Sequence, residues 1–311
     1  MVDSVYRTRS LGIAAEGIPD QYADGRAAKL WEIYVGDKNS RTDLYKHFLI
    51  NLLREKKCRN IIDVACGTGI DSVMLVEEGF NVTSVDASDK MLKYALRTRW
   101  NRRKEPAFDK WVIEEANWLT LPQDLDASGI LSERSNNANV GDYVVKDGFD
   151  VAIALGNSFA HLPDFIGDQR DQRQAIANFA KVLKPGGMLI IDHRNYDYIL
   201  DYGKTRSTNI YYNSQCVSNI HTSVLWKESK PSLVTLDYEL EVPADFDNRE
   251  MFVADRRNHF RLSYYPHRLE SFSALLKEAF GPGVKHQVFG DFMPLDKTKD
   301  PAFFIHVIQK P

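Results

Sequence analysis

Cysteine is scarce: 311 residues contain only Cys58, Cys66 and Cys216. Three cysteines have neither the number nor the spacing of a disulfide framework or a zinc site, so no metal is expected. Cys66, beside a glycine-rich turn, reads as a small buried residue. Long apolar runs are also missing. No segment approaches the roughly 20 apolar residues that span a bilayer. The opening "MVDSVYRTRSLGIAAEGIPDQYADG" carries charge throughout and has no signal core. These features fit a cytoplasmic protein that does not enter membranes. An excess of one charge is lacking too: the formal net charge of -3 gives no general pull toward nucleic acid or anionic lipid. The basic run "RTRWNRRK" (97–104) is most simply the solvated face of a helix. No internal repeat is visible.

What is present is an alternation. At 43% hydrophobic and 27% charged, the chain is an ordinary globular one, long enough for a large domain with an insertion. Residues 1–40 show little periodicity and read as an N-terminal arm. "RTDLYKHFLINLLREKK" places Leu44, Phe48, Leu52 and Leu53 on one helical stripe. "RNIIDVA" is a short apolar strand suited to a parallel sheet. "IDSVMLVEEG" reads as a helix stopped at Gly79, and "NVTSVDAS" as a second strand. "SDKMLKYALRTRW" follows as a helix with Ser88 or Asp89 as N-cap. "KWVIEEANW" and "GFDVAIALGNS" read as further strands, separated by a polar insert, 125–146. "DQRQAIANFAKVL" is a helix, "KPGG" a turn and "MLIIDHRN" a fifth strand. Strands alternating with helices predict a doubly wound α/β fold of the Rossmann-like type.

Between 194 and 265 the pattern changes to "NIYYNS", "TSVLWKE", "LVTLDYELEV" and "HFRLSYY". Alternation and aromatic content there suggest a small inserted antiparallel β subdomain. The α/β domain then comprises 41–193 and 266–311. It closes with the helix "RLESFSALLKEAF" and two strands, "HQVFGDF" and "AFFIHVIQK", forming a hairpin on the sheet edge.

The loop after the first strand, "DVACGTGIDS", suits an adenosine ligand. A Walker loop requires Gly-Lys-Ser/Thr, whereas Gly69 is followed by Ile70 and Asp71. A dinucleotide fingerprint requires a third Gly or Ala, where Ser72 stands. Asp63 and Asp71 flank the loop and disfavour a pyrophosphate. They suit a ligand carrying a sulfonium and an ammonium group. Asp86, at the end of the second strand, is placed to accept both ribose hydroxyls. Loop glycines such as Gly67 admit close approach of backbone to ligand.

"DVACGTG" resembles the first motif of class I S-adenosylmethionine-dependent methyltransferases, and "LKPGGMLIIDH" resembles their late helix-turn-strand motif. The likeness narrows further. "SVDASDKMLKYALRTRWNRR", "EPAFDKWVIEEANW", "LGNSFAHLPD", "IDHRNYD", "VTLDY" and "RLSYYPH", with the N-terminal stretch, resemble the glycine N-methyltransferase family of animals over most of the chain. The long insert before Phe149 and "PADFDNREMFVADRRNH" depart from it.

The resemblance implies a cofactor shell of Tyr22, Trp31, Tyr34, Arg41, Ala65, Gly67, Asp86, Asn117, Trp118, Leu155 and Ser158. In it Arg41 pairs with the methionine carboxylate, Trp118 faces the adenine and Asn117 bonds its polar edge. The implied substrate side is Gly156, Asn157 and Arg194, with Arg194 holding glycine's carboxylate. Asn157 and the Gly156 carbonyl would accept from the amine. Tyr22, Tyr212, Tyr238 and Tyr264 would surround the transferred methyl. The resemblance further implies a homotetramer whose arms contribute Glu16 across an interface. It also implies a site for 5-methyltetrahydrofolate at Ser4, Tyr6 and Arg261. The family's histidine in that site is matched by Ser232, so weak or absent folate inhibition is expected. The expected reaction is in-line displacement giving sarcosine and S-adenosylhomocysteine, with no dedicated base. Alternatives are a cofactor- or folate-binding protein with little turnover, or a methyltransferase for another small amine.

Overall fold

The computed structural model describes residues 40–131, 145, 147–206, 209–212, 217–241 and 257–311. Helix α1 (Asp43–Glu55) opens the described chain, with Thr42 Oγ1 capping it by accepting from the Tyr45 amide at 3.3 Å. Its buried face is Tyr45, Leu49, Ile50 and Leu53, which corrects the expected stripe: Leu53 belongs to it, Phe48 and Leu52 lie at its margin, and Leu44 is 46% exposed. β1 (Asn60–Asp63), α2 (Ile70–Glu77), β2 (Asn81–Asp86), α3 (Asp89–Asn101) and β3 (Trp111–Glu115) follow in the expected order. Ser88 occupies the N-cap position of α3, yet its hydroxyl makes no capping bond.

The second half of the sheet begins after α4 (Leu121–Ala127), with β4 (Phe149–Ala154), α5 (Arg170–Val182) and β5 (Leu183–Arg194). Helix α4 enters the stretch read as a polar insert, burying Leu121 and Leu125. "KPGG" is not a separate turn. It forms the irregular start of β5, where the register with β4 shifts between Phe149 and Val151 and Gly186 adopts φ +73°.

After β5 comes α6 (Tyr196–Tyr202), a helix inside the 194–265 stretch that was expected to be β-rich. Asn195 caps it, its side chain accepting from the Tyr198 amide. The antiparallel sheet then consists of β6 (Val217–Lys227), β7 (Lys230–Glu241) and β8 (Arg257–Tyr264), in the order β6-β7-β8. "NIYYNS" contributes no strand among the described residues, only a bridge from Tyr212 to Arg41. The chain ends with α7 (Leu269–Phe280), β9 (Lys285–Gly290), the two-residue β10 (Met293–Pro294) and β11 (Phe303–Gln309).

The main sheet runs β10-β9-β11-β5-β4-β1-β2-β3. β5, β4, β1, β2 and β3 are mutually parallel, and β11 inserts antiparallel between β5 and β9. The strand order reverses between β1 and β4. Open α/β sheets bind ligands at the carboxyl ends of strands beside such a switch point. The core lies on both faces of the sheet, with fully buried Ile61, Val151 and Ile190 toward one side and Ile62, Ala152 and Leu189 toward the other.

Candidate functional site

The five parallel strands present Ala65 and Gly67, Asp86, Asn117 and Trp118, Leu155 to Ser158, and Arg194 from their carboxyl ends. The sheet thus gathers onto one edge residues that are scattered along the sequence.

At the β1 end, Gly67 and Gly69 take left-handed φ of +53° and +81°. Their reasons differ. A Cβ on Gly69 would stand 2.7 Å from Trp111 Cζ2 and 2.8 Å from Ala95 Cβ, so packing demands this glycine. A Cβ on Gly67 would meet only the flexible tip of Met91, at 3.3 Å.

Asp86 Oδ2 accepts from the Gly67 amide at 2.9 Å and Oδ1 from the Ser88 amide at 2.9 Å. Because a carboxylate accepts up to about four bonds, these two fix its plane and are compatible with a pair of hydroxyls. Below the loop runs a polar chain. Trp111 Nε1 donates to Ser84 Oγ, Ser84 Oγ to Ser72 Oγ, and Ser72 Oγ to Asp63 Oδ2, at 2.7, 2.7 and 2.8 Å. Burial, with the negative charge of Asp71 adding to it, pushes Asp63 up to about 7. Asp71 itself forms an ion pair with Arg41 Nε at 2.7 Å. Arg41 is therefore held by protein, and its guanidinium also lies 4.3 Å from the centroid of the Tyr212 ring. Asp71's charge is met by that arginine, which leaves Asp63 as the buried carboxyl beside the loop.

At the β3 end, Asn117 Oδ1 accepts from the Leu119 amide at 2.9 Å, so the group suited to a ligand acceptor is its Nδ2. The Trp118 indole donates to the Val64 carbonyl at 2.5 Å and stacks on Phe159 at 5.6 Å. The ring thus belongs partly to the core.

At the β4 end the chain takes two successive left-handed residues, Gly156 and Asn157, at φ +79° and +64°. Asn157 is 1% exposed. Its Oδ1 accepts from the Arg194 amide at 2.9 Å and from the Tyr196 hydroxyl at 3.0 Å. Asn157 Nδ2, by contrast, is buried without a hydrogen-bond partner among the described residues. Such an orphan donor in a buried position calls for an acceptor. With Oδ1 already accepting two bonds, Nδ2 is the end of the amide left to meet a ligand acceptor. The Ser158 hydroxyl donates to the Leu155 carbonyl at 2.7 Å and closes the turn.

Arg194, 7% exposed at the end of β5, donates from Nη2 to the Tyr238 hydroxyl at 3.0 Å and lies 4.8 Å over the Phe303 ring. Tyr212, Tyr238 and Tyr264 each meet a different partner. Tyr212 faces Arg41, Tyr238 takes Arg194 and stacks on Phe260 at 4.6 Å, and Tyr264 packs on His161 at 4.7 Å. On the outer surface Arg261 forms a forked pair with Asp237, at 2.5 and 3.0 Å. Tyr22, Trp31, Tyr34, Glu16, Ser4 and Tyr6 lie outside the described residues.

Behind Arg194, three histidines join in a row. His193 Nδ1 bonds the Arg194 carbonyl at 2.8 Å, His193 Nε2 meets His306 Nε2 at 3.1 Å, and His306 Nδ1 meets His286 Nε2 at 2.9 Å. A carbonyl only accepts, so His193 carries its proton on Nδ1. It then follows that His306 and His286 both carry theirs on Nε2. Sequence reasoning missed this row, and it missed Asp192, Tyr196 and Tyr211. The available signal was a charged residue in the otherwise apolar strand "LIID", where burial demands partners.

The chain also resembles known proteins. Residues 55–237 match the family described as "Methyltransferase domain". The chain is 58% identical to the glycine N-methyltransferase of Rattus norvegicus over 314 residues, covering 100% of this chain and 99% of that protein. It is 32% identical to the glycine/sarcosine N-methyltransferase of Halorhodospira halochloris, covering 94% and 89%. An S-adenosylmethionine-dependent methyltransferase from Clostridium acetobutylicum has the same fold, with a TM-score of 0.60 at 16% identity over 92% of this chain and 98% of that one.

Proposed function

Because the chain belongs to the glycine N-methyltransferase family, it transfers the methyl group of S-adenosylmethionine to the amine of glycine, and we propose that Asn157 and Arg194 are the residues that seat the glycine. The observation that carries this reading is the pair itself. An orphaned buried Nδ2 and a buried guanidinium already bonded to Tyr238 stand at neighbouring strand ends, where an amino-acid carboxylate can accept from both.

The cofactor's place in this reading is over the Gly67 turn. Asp86 would accept the ribose hydroxyls, Asn117 Nδ2 would donate to the adenine ring, and Asp63 would face the cationic sulfonium end. The cofactor supplies an already activated methyl group. The protein aligns the amine and keeps water out, effects that contribute up to roughly 7–11 kcal/mol in favourable cases. No general base is assigned. The rate of the chemical step therefore rises with pH over about pH 6 to 9 as the amine loses its proton. The homotetramer, the contribution of arm residues Tyr22 and Glu16, and a cytoplasmic setting belong to the same reading by family likeness. Weak or absent inhibition by 5-methyltetrahydrofolate is supported by Ser232 and by the Asp237 pairing of Arg261.

The test is to supply S-adenosylmethionine and glycine and follow sarcosine by mass spectrometry. Sarcosine forming in step with S-adenosylhomocysteine, and lost in Arg194→Ala, supports the anchor. Tight cofactor binding without sarcosine overturns the assignment.

A further inference from the structure

Asp192 is a fully buried carboxylate, two residues before Arg194 on the same face of β5. Its Oδ1 accepts from the Asn157 amide at 2.8 Å, and the Gly156 amide also bonds it. Its Oδ2 accepts from the Tyr211 hydroxyl at 2.6 Å. One carboxylate therefore caps the left-handed Gly156–Asn157 turn and grips a tyrosine from a distant segment.

That segment, 209–212, is fastened at its other side to the start of α1. The Thr42 amide donates to the Tyr211 carbonyl at 3.0 Å, Thr42 Oγ1 donates to the Ile210 carbonyl at 2.6 Å, and Tyr212 bridges to Arg41. The Tyr211 ring is wedged edge-on against Tyr45, Phe292 and Phe303, at 4.8, 5.2 and 5.4 Å. Packing alone would be served by phenylalanine. Among the described residues, the hydroxyl adds one bond, to Asp192.

We propose that Asp192 and Tyr211 are positioning residues for the methyl transfer, a buried clasp that ties the Arg41–Tyr212 side of the site to the turn that aims Asn157. The proposal rests on the reading of Asn157 and Arg194 as the glycine anchors. Without the clasp, the Gly156–Asn157 turn keeps its backbone but loses the fixed distance between Asn157 Nδ2 and the Arg194 guanidinium. Glycine bridges that distance, so its affinity feels the change first. Burial drives the Asp192 carboxyl up to about 7 despite its donors, which makes the Tyr211 hydroxyl a needed partner.

The experiment compares full-length wild type with Tyr211→Phe and Asp192→Asn. Glycine is varied at saturating S-adenosylmethionine, and cofactor binding is measured by calorimetry. Tyr211→Phe is expected to raise the KM for glycine about 10-fold or more, as loss of a bond to a charged group does. Its kcat and cofactor Kd should stay within about twofold. Asp192→Asn retains an acceptor for the Asn157 amide and a donor for the Tyr211 oxygen, so its rise is smaller, about threefold. Should Tyr211→Phe lose its cooperative melt, Asp192→Asn carries the same KM test.

A glycine KM unchanged in Tyr211→Phe overturns the clasp. So does a joint fall in kcat, cofactor affinity and melting temperature, which marks a purely structural role. Failure of wild type to make sarcosine while binding cofactor sinks the glycine reading itself. If wild type makes sarcosine and Arg194→Ala does not, an unaltered Tyr211→Phe refutes the clasp alone.

Discussion

The backbone amide of Arg194 donates to Asn157 Oδ1 at 2.9 Å, and this bond decides which end of the Asn157 amide is available to a ligand. A flipped amide would set two N–H groups against each other, so the oxygen must face Arg194. Asn157→Asp keeps an acceptor for Arg194 and Tyr196 but replaces the remaining donor with a second anionic oxygen. Glycine KM should rise by roughly 10- to 150-fold, equivalent to about 1.5–3 kcal/mol, with cofactor affinity nearly unchanged. Steady-state kinetics with calorimetry decide the matter; a wild-type KM would exclude donation by Nδ2.

The two loop glycines should separate in their effects. Gly69→Ala forces a Cβ against Trp111 and Ala95 at a left-handed φ, and should cost about 2–5 kcal/mol of stability. Gly67→Ala displaces only the end of Met91 and should cost about 1–2 kcal/mol, while weakening cofactor binding. Urea unfolding and cofactor titration of both variants test the contrast, which equal stability losses would remove.

Asp63 makes stability depend on pH in one direction. Burial raises its folded pKa to about 7, above an unfolded value near 3.9. Its contribution is therefore full below about pH 4 and is lost as pH rises toward 7. Asp63→Asn should gain on wild type across that window, by up to about 1.4 kcal/mol per pH unit, and gain no more above it. Unfolding of the cofactor-free protein at pH 5, 6, 7 and 8 gives the answer, and a pH-independent difference would refute it.

The histidine row should act in the opposite sense. Burial lowers His193 and His286 to about 4 and also holds His306 well below the ordinary histidine value. Groups depressed in this way stabilise above their unfolded value near 6.5, and the stabilisation is lost as pH falls toward about 4. His306→Phe should be less stable at pH 7.5 by about 1–3 kcal/mol, because it leaves its neighbours' ring nitrogens without a bond. It should also lose less on acidification, by up to about 1.4 kcal/mol per pH unit. An unchanged slope would show that His306 is not neutral in the folded protein.

The layout at the strand ends was legible because two independent signals coincide there. The apolar run before Asp63 and the glycines after it fix a strand and its turn, and Asp86 repeats that logic one strand later. Helix α6 was hidden by its composition, since "YDYILDY" is rich in residues that favour strands. Its Asn195 cap was the contrary signal. Helix α4 is short, begins at a Leu-Pro pair and carries two aspartates, so periodicity over so few turns could not reveal it. The bonds of Asp192 to Tyr211 and of Asn157 to Arg194 are tertiary, and no local pattern encodes them. The resemblance named Asn157 as a site candidate. It did not say which amide end was committed to the fold.

The insertion of β11 between β5 and β9 also bears on the order in which a growing chain matures. Gly67 bonds Asp86, and Trp111 bonds Ser84, all within the first half of the sequence. The glycine end must wait, because Arg194 needs Tyr238 from the second sheet and Asn195 donates its amide to the Ala302 carbonyl near the last strand. Contacts so distant in sequence form late. The loops meant for the cofactor can therefore take shape early in synthesis, whereas discrimination among nucleophiles arises only once the segment around Ala302 has been made and docked.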